Sequence, residues 1–128
     1  MKTEDILNLD CRKEENRIKL NSFLYKVKPI QKRMEKLGKG RRAEVPMEVL
    51  EEVMQGLCLR YGYRIQHIIP SFDTDRFVFY NSSITKRRDT VLWVGNAYGC
   101  TMHETIAKII VKIYADIRKG QEKDGEEA

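Results

Sequence analysis

The chain has 128 residues, 41% of them apolar and 34% charged, with a formal net charge of +5. That length suits one domain with an ordinary core, and no apolar run approaches the roughly 20 residues of a membrane span. The basic balance favours polyanionic partners, nucleic acid first, and without a spanning run no membrane partner is expected.

Residues 1–15 are polar and lack the apolar segment of a secretory leader. The three cysteines, Cys11, Cys58 and Cys100, are odd in number and far apart. We therefore expect a reducing, cytoplasmic setting with free thiols, and no glycan at Asn81-Ser82-Ser83.

In chain order, residues 1–10 read as a loose lead-in. From Asp10, apolar residues at Leu20, Phe23, Leu24, Val27, Ile30, Met34 and Leu37 follow helical steps of three and four. Pro29 interrupts them, which predicts either a kinked helix or a break near Val27 with a shorter helix to Leu37. Gly38 suits the left-handed stop. The loop 38–45 precedes Pro46, a residue fitted to a first helical turn. Met47, Leu50, Val53, Met54, Leu57, Cys58 and Tyr61 then form one apolar stripe, ended by Gly62.

The period next changes from 3.6 to 2. Residues 63–69 alternate, and Pro70 stops them. The segment 71–75 has turn chemistry, and 76–80 reads as a second strand rich in aromatic and β-branched residues. Residues 81–89 are a polar connection, with some strand of their own as an option, and 90–95 form a third strand. Short links favour antiparallel neighbours.

The last helix starts at Thr101, where Thr101 and Glu104 form a T-x-x-E capping box. Met102, Ile106, Ile109, Ile110, Ile113, Tyr114 and Ile117 give it an apolar face. Glu104 with Lys108, and Lys112 with Asp116, are spaced as exposed helix pairs. Residues 119–128 form a disordered acidic tail by composition.

These readings combine into an α+β fold. An N-terminal helical arm and basic loop (1–45) precede an α-β-β-β-α core (46–118), whose three-stranded antiparallel sheet is covered on one face by helices. Ile65, Leu57, Trp93, Ile106, Ile110 and Ile113 are the expected core. The order from Pro46 to Ile117 is similar to the double-stranded-RNA-binding domain, and Ala107-Lys108 matches the alanine–lysine of its second helix. Glu104 and Thr105 stand where that family has paired lysines, and 70–75 is acidic where it has a Gly-Pro-x-His loop. The resemblance therefore implies the topology without the RNA contacts. The stretch 92–117, with its tryptophan-bearing strand, Y-G-x-T turn and E-x-x-A-K helix, resembles small accessory proteins of phages and mobile elements, as does 9–20.

No cofactor or metal motif is present, and no catalytic residue is assigned. Cys100 and His103 have C-x-x-H spacing without a second ligand pair. A Cys–His nucleophile would need the two within hydrogen-bond reach, and the simpler reading is an exposed helix start. His67 reads as a half-buried strand residue, and Cys11 as an exposed one. Gly95 and Gly99 flank a turn without phosphate-loop spacing.

The charge layout carries the functional expectation. Lys26, Lys28, Lys32, Arg33, Lys36, Lys39, Arg41 and Arg42 are opposed only by Glu35, and Lys86, Arg87 and Arg88 form a second cluster. They are the candidate nucleic-acid-binding residues of a non-catalytic module contacting DNA, RNA or an acidic protein. The alternative is a solvated helix face on an adaptor or homo-oligomeric subunit.

Overall fold

A computed structural model describes residues 2–40, 43–72, 78–87 and 90–127, with side chains at all of these except 67–72, 78–79 and 121–127. Its elements are α1 (Thr3–Leu7), α2 (Glu14–Leu24), α3 (Lys28–Lys36), α4 (Met47–Tyr61), β1 (Tyr63–Phe72), β2 (Val78–Arg87), β3 (Val91–Gly99) and α5 (Met102–Glu127). The fold is α+β, and its sheet is antiparallel in the order β1-β2-β3.

The proline at 29 separates two helices rather than kinking one. It sits in the first turn of α3, where its missing donor costs nothing. At the far end, the Gly38 N–H donates to the Glu35 carbonyl (2.9 Å) and the Lys39 N–H to that of Met34 (3.1 Å). Those two bonds are a Schellman closure. The lead-in is more ordered than its polarity suggests: α1 forms, and Ile6 is buried.

The strands run further than their composition predicts. The polar segment 81–87 belongs to β2, with Ser82 and Ile84 buried. The cost of burying Ser82 is met locally, because Ser82 Oγ donates to the Ala97 carbonyl (3.0 Å), whereas Asn81 Oδ1 is buried with no hydrogen-bond partner among the described residues. β1 continues past Pro70, a position tolerated because β1 is an outer strand. The predicted turn at 73–75 and the strand start at 76–77 lie outside the described residues.

α5 is the centre of the molecule. Every residue from Glu104 to Val111 is buried. The sheet packs against it through β2 and β3, α4 lies beside it, and α1 and α2 also pack on it. Residues of the expected arm, among them Ile6, Leu20, Leu24, Ile30 and Met34, join the same core as Leu57, Ile106, Ile110 and Ile113. Residues 119–127, expected as a tail, continue α5 instead. Propagating an established helix adds one hydrogen bond per residue fixed, which here offsets the poor helix propensity of Gly120 and Gly125 among the lysines, glutamates and Gln121.

Trp93 is the main correction to the expected core: it is 63% exposed. The cause is a β-bulge. Ile84 pairs with Gly95 but Thr85 pairs with Trp93, leaving Val94 as an extra residue on β3. One inserted residue reverses the alternation, so Trp93 moves from the helix-covered face, shared with Gly95 and Ala97, to the open face. Gly95 makes the bulge possible, at φ 153° with the Lys112 stem so close that an added Cβ would lie 2.7 Å from its Cε. Ile65 is half-buried.

Candidate binding surfaces and the cleft beside helix α5

Helix α3 turns Ile30 and Met34 into the core and leaves Lys28, Lys32 and Lys36 exposed at one-turn spacing, with Lys39 beyond the cap. Arg33 faces inward enough to ion-pair with Glu52 of α4. Exposed Lys26 lies over the Phe23 ring, 4.7 Å from its centroid. The second cluster is elsewhere. Lys86 is half-buried over the Tyr63 ring (5.1 Å), and the N–H of exposed Arg87 donates to the Gly62 carbonyl (2.9 Å). Glu52 and Gly62 mark where the clusters meet α4, ten residues and therefore roughly 15 Å apart along its axis. Hence the described members of the two clusters do not merge into one compact patch. Arg41, Arg42 and Arg88 lie outside the described residues, as does the His67 side chain.

A cleft of about 780 Å³ opens between α2, the loop before α4 and the start of α5. Its floor includes Leu20, Leu24 and Ala107, and its walls carry Cys11, Arg17, Glu44, Cys100, His103 and Glu104. Three features around it were not visible in one dimension. His103 is half-buried, and its Nε2–H donates to the Val45 carbonyl (2.7 Å), a bond that fixes the tautomer. The same loop is held from α2, where Asn21 Nδ2 donates to the Ala43 carbonyl (3.1 Å) and Asn21 Oδ1 accepts the Val45 N–H (2.9 Å).

Glu104 and Lys108 are the second feature. Expected as an exposed pair, they are 6% and 4% exposed. Thr101 Oγ1 accepts the Glu104 N–H (3.1 Å), as a capping box requires, but the returning carboxylate accepts the Cys100 N–H (2.5 Å), one residue before the cap. Only a glycine at 99 allows this, since a Cβ there would lie 2.6 Å from Glu104 Oε2. Lys108 Nζ stands 3.8 Å from Glu104 Oε1 and donates to the Leu9 carbonyl (2.7 Å). The buried ammonium thus ties the N-terminal segment to α5. The signal was a single stripe of charge, Glu104, Lys108 and Lys112, on an otherwise apolar helix segment. Such a helix is surrounded rather than half-exposed.

The third feature is the pair of thiols. Cys11 is buried rather than exposed. Desolvation, then the charge of Glu104 and a hydrogen bond to it, pushes its pKa up to about 12. Burial and Glu104 also raise Cys100, and burial raises Cys58. Among the described residues no hydrogen bond joins Cys100 to His103. Arg12 bonds Asp10 through Nε and Nη2, both at 2.9 Å, which helps hold the Asp10 carboxyl down near 2.

These environments make the thiols slow nucleophiles. Alkylation of native protein at pH 8, followed by mass spectrometry, should modify Cys11 at least about a hundredfold more slowly than in urea. A raised thiol pKa favours the folded state fully below the unfolded value of 9.0, and that contribution declines as pH rises from there through about 12.

Among the described residues no group of three or more His, Cys, Asp or Glu side chains could hold a metal ion, and no helix is long and apolar enough to cross a membrane. No protein-family model matches this chain, and neither the curated proteins nor the solved structures contain a match.

Proposed function

We propose that this protein is a small non-catalytic binding module that engages nucleic acid through the lysine row of α3. One observation carries the reading. Lys28, Lys32 and Lys36 stand exposed on one side of a helix anchored by Ile30 and Met34, and among the described residues none of the three is ion-paired. The helix fixes the spacing of the three stems, and each flexible ammonium can reach a phosphate along a nucleic-acid backbone. The protonated thiols and committed His103 Nε2 beside the cleft support a role without nucleophilic chemistry. The likeness of 9–20 and 92–117 to phage and mobile-element accessory proteins suggests that setting.

Fluorescence anisotropy with labelled single- and double-stranded oligonucleotides tests the proposal. Affinity should fall about a hundredfold between 50 and 200 mM salt if four phosphates are neutralised. The triple variant Lys28→Glu, Lys32→Glu, Lys36→Glu should lose binding while keeping its circular dichroism. Absence of binding to any DNA or RNA at low salt refutes the reading, and capture of acidic peptides alone transfers the surface to a protein partner.

A further inference from the structure

The nine residues of β3 include no charged side chain, in a chain that is 34% charged. β3 is an outer strand paired with β2 alone, and among the described residues no backbone hydrogen bond reaches its other side. The opposite outer strand, β1, carries Arg64 and Pro70, which are ordinary protections of a sheet edge. β3 has only its bulge. Val91, Leu92 and Trp93 are 63%, 49% and 63% exposed, so three consecutive apolar residues meet water beside unpaired backbone groups.

We propose that this edge is the interface of a homodimer, in which β3 pairs antiparallel with β3 of a second copy about a two-fold axis at Leu92. Val91 of each copy then faces Trp93 of the other, and the two Leu92 residues face each other. The faces agree. Val91 and Trp93 pair with Arg87 and Thr85, alternate residues of β2, and so share one side of the sheet, while Leu92 takes the other. Such a dimer forms whether or not α3 binds nucleic acid.

A second copy fits the strand's own chemistry: two identical neutral strands bury no charge at the axis, and the nearest described cation, Arg87 on β2 opposite Val91, stays exposed at the flank of the paired strands. The basic helix α3 packs on α4, and α4 on β1, at the opposite side of the sheet. Two copies of net charge +5 can therefore join through β3 without bringing their lysine rows together. The contact is short, below the standard interface size, so association belongs in the micromolar range.

Trp93 is the only tryptophan, so its emission reports the interface directly. Light scattering of the full chain from about 5 to 500 µM should show the mass rising from 15.1 kDa toward twice that, with a blue shift of Trp93 emission over the same range. Leu92→Lys opposes two ammonium groups at the axis. It should weaken association more than about a hundredfold and keep emission at its dilute value. Should that variant not fold, Leu92→Glu opposes two carboxylates at the same axis and makes the same test. Leu59→Lys, at an 87% exposed position on α4, should change neither readout. The α3 triple variant should dimerise like the wild type, which separates this inference from the binding proposal. A constant mass of 15.1 kDa overturns it. So does a larger species that survives the folded β3 variants or disperses on nuclease treatment.

Discussion

Replacing Glu104 with alanine is expected to destabilise the protein by about 3–5 kcal/mol, the usual cost of removing one partner from a buried ion pair. Besides the hydrogen bond from the Cys11 thiol, two separate losses converge. The Cys100 N–H loses the carboxylate that accepts it at 2.5 Å, and the Lys108 ammonium keeps only the Leu9 carbonyl as a close partner. Of the two, the uncompensated charge, at a site 4% exposed, costs more. The sign can be checked internally. Glu104→Ala with Lys108→Met removes the stranded charge and should recover much of the loss, whereas independent sites would add their penalties. Urea unfolding measures both. A single-variant cost below about 1 kcal/mol would show that this pair is in contact with water.

Ile110→Ala should cost about 2–5 kcal/mol, with the urea midpoint lowered and the slope unchanged. Ile110 is fully buried on α5, where the sheet and α4 close around the helix. The surrounding side chains belong to several elements and cannot all collapse into the space vacated, so a cavity remains. Leu59→Ala is the control. Although equally apolar, Leu59 is 87% exposed and should change stability by no more than about 0.5 kcal/mol. Together the two variants measure burial rather than hydrophobicity.

The candidate lysines on α3 were legible because they obey the helical period: Ile30 and Met34 mark one side, and Lys28, Lys32 and Lys36 the other. The cleft was not legible. Its buried ties join Lys108 to Leu9, 99 positions away, and His103 to Val45, 58 away. No local pattern encodes such meetings. Cys11 looked like an ordinary polar-segment cysteine because the element that buries it lies at the other end of the chain.

What the sequence determined by itself was the local grammar: α4 and its stop at Gly62, the alternation that follows, an interruption at Pro29 that could be a kink or a break, and the apolar content of α5. These rest on periodicity and on the backbone limits of glycine and proline, which act over a few residues. The tertiary structure alone decided that α5 is enclosed by α1, α2, α4 and the sheet, so that Glu104 and Lys108 leave water. It alone also decided that a bulge at Val94 puts Trp93 on the open face. Burial depends on which distant surfaces meet, and the face of a strand depends on its register against a neighbour. Both are relations between segments, which a reading along one segment does not contain.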